Sequence, residues 1–327
     1  MSLLAFVLVV ALGTACASAV SFDNAAEELA IVGPVSAPEA EPTSRPTTAP
    51  TPTALPEPTP TPEPQPTGAA PPIELTEMPL RELSEDAAEY AASLHAPVGI
   101  AVVIPGESTV YTANGDELFH MASVVKVPIM LTVMNSAIQE DRALTDYEIR
   151  LMESMITLSD NDAATALWHD VGGAVAVETF LNSAGAGAIE MNSDHWGASF
   201  ASAQEVASLL ARLIGGEILE EASRALAMDL MSGVDPFQRW GITSGLDERE
   251  PVEATVGVKN GWYPAYDGWW VNSVGFVLPS DDRPAYTIAI LSDQWLTLDF
   301  GVQTIEVIAQ MINAELTGVE VAVSLAR

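Results

Sequence analysis

Lysine occurs only twice in the 327 residues, at Lys126 and Lys259. Cysteine occurs once, at Cys16, so no disulfide can form within the chain. Basic residues are few altogether: 12 Lys and Arg stand against 45 Asp and Glu, a formal net charge of -33. A chain this acidic repels phosphate backbones, which argues against nucleic acid as a partner. With arginine as the preferred rare cation, the same balance suits a salty environment. Histidine is scarce as well. His120, His169 and His195 pair neither with each other nor with a nearby pair of carboxylates, so no metal and no other cofactor is expected. No internal repeat is present.

What the chain does contain begins with an apolar run, "LLAFVLVVALGTA", that ends at Cys16. Thirteen apolar or small residues are short for a membrane span and suit a secretory signal over residues 1–16. The "LGTAC" before and at Cys16 resembles a bacterial lipobox with one extra residue, which implies lipidation of that cysteine. The expected location is therefore outside the cytoplasm, tethered to the membrane by lipid, with simple secretion or an uncleaved signal anchor as the alternatives. Residues 17–75 follow as a linker. Fourteen of the 23 prolines fall between Pro34 and Pro72, interleaved with Thr, Ala and Glu. Such a segment has too little apolar bulk for a core and reads as an extended spacer. The globular domain is expected over residues 76–327.

Within that domain, "LSEDAAEYAASLH" (83–95) reads as an amphipathic helix capped by Ser84. Two strands follow at 98–105 and 108–115, then a helix over 123–138 whose apolar residues surround it and argue for burial. Four helical patterns come next, in "DYEIRLMESMITLS", "NDAATALWHDVG", "AVAVETFLNSAG" and "SAQEVASLLARLIGG", and a fifth in "EEASRALAMDLMSG". Strands return at 253–260, 269–279 and 285–293, and a helix over about 297–315 closes the domain. This order predicts an α/β protein of the α+β type: a five-stranded antiparallel sheet flanked by helices, plus an all-helical lobe, with a cleft between them. A single such domain is expected to be monomeric.

Three short motifs carry chemistry. In "SVVK", Ser123 and Lys126 are spaced i and i+3, on one helical face. A serine hydroxyl becomes a nucleophile when a base takes its proton, and a lysine among valines and methionines loses its charge more readily. The same pair also suits a cap serine beside a snorkelling lysine. In "LSDNDAATAL", Ser159, Asp160 and Asn161 sit between two helical patterns, where a hydroxyl and an amide can meet a substrate or merely cap a helix. In "VGVKNGW", Lys259, Asn260 and Gly261 end an apolar strand. There an ammonium would face a substrate carboxylate and glycine would admit a close backbone. The next residue, Trp262, would add its N–H to that of Ser123 to hold an oxyanion.

Taken in order, "SVVK", "SDN" and "KNG" resemble the penicillin-recognising serine hydrolases, which include class A β-lactamases and D-alanyl-D-alanine peptidases. The resemblance covers roughly residues 80–315. It implies a β-lactamase/transpeptidase-like fold and an acyl-enzyme mechanism on β-lactam or peptidoglycan-type small substrates. Ser123 would be the nucleophile, Lys126 part of its activation, and Ser159 the donor to the leaving nitrogen. Asn161 would bind the substrate's side-chain amide, and Lys259 would support its carboxylate and the proton relay.

Three departures from the pattern matter. Asn260 stands where the family has Thr or Ser, and would have to donate to the carboxylate through its amide. Only 36 residues separate Ser123 from Ser159, so part of the helical lobe is missing. The loop glutamate that activates the deacylating water in class A enzymes has no matching "E-x-x-L-N". In "AIEMNSDHWGASFAS", Glu190 is the one glutamate available, with Asp194 and His195 as rivals and a shortened "WG" loop behind them. The aromatic run from Trp262 to Trp270 suits either a cleft wall or strand packing. The leading expectation is an exported class A-type serine hydrolase acting on β-lactams. A D-alanyl-D-alanine carboxypeptidase or related cell-wall peptidase is the second, and a catalytically weak peptidoglycan-binding domain the third.

Overall fold

The computed structural model describes residues 75–246 and 253–318. The expectations for the signal, Cys16 and the proline-rich linker up to residue 74 lie outside the described residues.

The first helix, α1 (Glu85–Ser93), starts where Ser84 Oγ accepts the N–H of Ala87 at 3.3 Å. A hairpin follows, β2 (Val98–Val103) and β3 (Thr109–Ala113), with Val103 opposite Val110. All six residues of β2 are buried, since it is an interior strand covered on both faces. The last three strands are β6 (Ala254–Ala265), β7 (Gly268–Pro279) and β8 (Tyr286–Ser292), each antiparallel to the next. β8 pairs with β2, so the early hairpin and the last three strands join in the middle of the sheet.

The sheet has six strands, one more than the five expected. The added strand, β1 (Thr76–Pro79), pairs in parallel with β3 at the edge, giving the order β1-β3-β2-β8-β7-β6. Its sequence, "TEMP", is short and ends in proline, which lacks a ladder donor and suits an edge strand. Two three-residue strands also carried no alternating signal. β4 (Leu118–His120) and β5 (Phe200–Ser202) form a separate antiparallel pair beside the main sheet.

Alternation along the strands sorts the core into two layers. Ala101, Val103, Val274, Phe276, Ala289 and Leu291 face the helical lobe. Ile100, Val102, Val258, Val271, Ile288 and Ile290 face the terminal helix α8 (Leu298–Thr317) and α1. The lobe contains α2 (Lys126–Gln139), α3 (Asp146–Thr157), α4 (Asn161–Val171), α5 (Gly173–Ser183), α6 (Ala203–Gly215) and α7 (Glu221–Ser232). α2 runs through its centre, buried at every residue from Lys126 to Met134. The all-round apolar surface of its sequence is thus matched by protein on all sides.

Candidate active site

Ser123 lies in a 3-10 turn, Ala122–Val125, that leads directly into α2. The tightened turn replaces the α-helical start expected at Ser123 and places Lys126 as the first α-helical residue. Ala122 takes φ 45°, a left-handed conformation rare for a residue with a Cβ. Neighbouring strands hold the turn in place. The side-chain amide of Asn272 on β7 donates to the carbonyls of His120 and Met121, at 2.8 and 3.2 Å. The N–H of Met121 donates to Ser199 O at 2.8 Å.

Lys126 is fully buried, with Nζ 3.1 Å from Ser123 Oγ. Its other acceptors come from the junction between α3 and α4: Ser159 O at 2.6 Å, Ser159 Oγ at 3.1 Å and Asn161 Oδ1 at 2.7 Å. Ser159 reaches it because its backbone is left-handed, φ 59°. Asp160 fixes that bend by accepting the N–H of Ala163 at 2.9 Å and the hydroxyl of Ser154 at 3.1 Å. From β6, Lys259 Nζ donates to the same Ser159 Oγ at 3.0 Å and to Asn260 O at 2.8 Å. Ser123, Lys126, Ser159, Asn161 and Lys259, drawn from three separate parts of the chain, thus form one connected set.

Burial sets the charge of both amines. Desolvation lowers the Lys126 amine to about 7, against the opposing pull of the Asp160 carboxylate. Lys259 is held well below the ordinary lysine range, first by complete burial and then by the charge of Lys126. The ammonium expected of Lys259 is thus disfavoured by its burial and by the charge of Lys126 beside it.

Two neighbours of Lys259 differ from their expected parts. Asn260 is buried and its amide donates to Gln238 O and Trp240 O, at 2.7 and 3.1 Å, while Oδ1 has no partner. Both donors are taken up by backbone, so the amide braces the strand and has none left for a carboxylate. A Cβ on Gly261 would lie 2.7 Å from Met121 O and 2.9 Å from Ser123 N. The glycine is therefore required by the serine turn itself, where it had been expected to make room for substrate. Trp262, half-buried, stands next on β6 with its ring 5.9 Å from that of Trp240.

None of the candidate loop residues hydrogen-bonds to this set. Glu190 is exposed and bridges Phe200 through its backbone, N to O at 2.8 Å in both directions. Asp194 and His195 are exposed, their N–H groups donating to Asn192 Oδ1. Among the described residues no carboxylate hydrogen-bonds to Ser123, Lys126, Ser159 or Lys259. What faces Lys126 from this loop is Trp196, its ring centroid 5.2 Å from Nζ. The sequence offered one signal for it, the aromatic residue of the shortened "WG" loop.

His120 also stands beside the serine turn, its Nδ1 3.0 Å from Asp293 Oδ2. The ring stacks on Trp270 with centroids 3.7 Å apart and tilts against Phe200 at 4.2 Å. Part of the aromatic run thus packs around His120, whereas Tyr266 is fully exposed.

A family model described as the beta-lactamase enzyme family matches residues 138–316. The match takes in Ser159, Asn161 and Lys259 and begins after Ser123 and Lys126. A protein of Mycobacterium tuberculosis named as a candidate lipoprotein, LppW, is 26% identical over 220 residues, 64% of this chain and 68% of that protein. A beta-lactamase of Rhodobacter capsulatus is 32% identical over 135 residues, 34% of this chain and 46% of that enzyme. Among solved structures, a variant of the last common ancestor of Gram-negative bacterial class A beta-lactamases superposes with a TM-score of 0.62. It is 24% identical, and the match covers 72% of this chain and 99% of that one, a likeness of fold. With more than half its length matched by the family model, the chain belongs to the beta-lactamase enzyme family.

Proposed function

We propose that residues 76–327 form an exported serine hydrolase that opens β-lactam amides through an acyl-enzyme. Ser123 Oγ attacks the amide carbonyl and gives its proton to the neutral form of Lys126. The backbone N–H groups of Ser123 and Trp262 receive the developing oxyanion. Ser159 protonates the departing nitrogen, and its own proton is replaced from the lysines on either side. The Asn161 amide nitrogen faces the substrate's side-chain amide. A substrate carboxylate arriving at Lys259 favours its charged form, against the burial that lowers it. The observation that carries this reading is the 3.1 Å contact between Ser123 Oγ and a buried amine lowered to about 7.

The class A-type enzyme is the leading reading, and a peptidase acting on peptides ending in a D-amino acid is the second. The absence of a hydrogen-bonded carboxylate at the site, among the described residues, favours slow release and so the second substrate class. Export and a lipid tether at Cys16, with residues 17–75 as the spacer, complete the proposal; the lipoprotein name of LppW supports it. Product release from penicillin and from a D-alanyl-D-alanine peptide, measured side by side on wild type and Ser123→Ala, tests the assignment. Faster turnover of the peptide would select the second reading, and equal activity in both proteins would remove Ser123 from the mechanism.

A further inference from the structure

Trp196 is fixed against the site from two directions. Its indole N–H donates to Thr165 Oγ1 at 3.3 Å, and Thr165 lies one turn beyond Asn161 on the same face of α4. The ring therefore lies along the helix face that presents Asn161 to Lys126. The segment behind it is tied down as well. Asn192 Oδ1 accepts the N–H groups of Asp194 and His195 at 3.0 and 2.9 Å. The N–H of Asn192 donates to Ser199 Oγ at 3.0 Å, and Ser199 O accepts from Met121, two residues before Ser123. The ring and the nucleophile are thus held in one hydrogen-bonded frame.

An acyl ester on Ser123 leaves when water attacks it with help from a base. Lys126 is the base in hydrogen-bond reach of Ser123 Oγ. Three other oxygens already surround its amine, and the Trp196 ring covers a further side with a surface that gives water no strong partner. We infer that Trp196 sets the lifetime of the acyl-enzyme by denying water its approach to Lys126. This rests on the serine hydrolase reading above and adds a determinant of how long the intermediate persists. In the step it slows, the water oxygen bonds to the ester carbonyl carbon and its proton passes to neutral Lys126. The bond from that carbon to Ser123 Oγ then breaks, and Oγ takes the proton back from Lys126. A free carboxylic acid leaves, with no change in oxidation state.

The test follows acylation and release by time-resolved intact-protein mass measurement, with penicillin as the probe and the full chain as wild type, Trp196→Ala and Trp196→Phe. Trp196→Ala is expected to raise the ratio of deacylation to acylation rate at least about tenfold, by admitting water. Trp196→Phe keeps a ring over the amine and should retain the wild-type ratio. A merely structural role would slow both steps and leave the ratio unmoved, which would overturn the inference. So would a phenylalanine variant that releases as fast as the alanine one. Should Trp196→Ala fail to fold, Thr165→Val frees the indole and must still raise the ratio. Wild type with no adduct overturns the hydrolase reading itself; an adduct with unchanged ratios overturns the role of Trp196 alone.

Discussion

The hydroxyl of Ser159 lies 3.1 Å from one buried amine and 3.0 Å from another, and two ammonium groups so placed would repel each other strongly. Burial eases this by pushing Lys259 well below the ordinary lysine range and leaving Lys126 near 7, divided between its two forms at neutral pH. Only the neutral form can accept the proton of Ser123. Below the Lys126 value that form is scarce, and above it complete, so acylation should rise with pH and level off beyond about 7. Stopped-flow acylation from pH 5.5 to 8.5 or so reads this limb, and a flat profile would contradict it. Lys126→Ala should slow acylation by at least about 10²-fold and abolish the limb. Glu190 predicts the opposite kind of result. It is exposed and held through its backbone to Phe200, so Glu190→Gln should leave the deacylation rate nearly unchanged in the same instrument.

At the scale of elements, the site depends on β6 crossing the 3-10 turn that leads into α2 with no side chain between them. Gly261 makes this possible. In Gly261→Ala the new methyl would press on Met121 O and on the Ser123 and Val124 N–H groups, all backbone atoms. Overpacking of this kind costs about 1–3 kcal/mol, which urea unfolding should register, and the displaced turn should acylate more slowly. Unchanged stability and unchanged acylation would show that the crossing tolerates a side chain. The elements themselves were largely legible in the sequence. Helical periodicity and cap residues outlined α1 to α8, because each buries a single face or, for α2, every face. β1, β4 and β5 were not legible, since three or four residues carry too little alternation to distinguish a strand. The three motifs were legible as a set. The direction of Asn260 was not, because β6 is buried on both faces there and pattern alone cannot tell a brace from a ligand. The "WG" loop marked Trp196, but its place against Lys126 depends on how that loop is tied back to Met121, a tertiary fact the local sequence does not carry.

Across the whole molecule, two lysines in a chain of net charge -33 both lie at one site, fully buried. Scarcity of lysine elsewhere therefore made the chemistry easier to locate. A proline-rich sequence separates Cys16 from residue 76, and the lipid attachment proposed at Cys16 predicts label from a radioactive fatty-acid precursor on wild type and none on Cys16→Ser. An unlabelled wild-type chain would leave secretion as the better account of its location. The central claim is that Ser123 takes the acyl group, and the most direct measurement is intact-protein mass spectrometry after brief exposure to penicillin. The account predicts a gain of one penicillin mass on the wild type, mapped to the peptide containing Ser123, and no gain on Ser123→Ala. An adduct of equal yield on both proteins, or none on either, would contradict it.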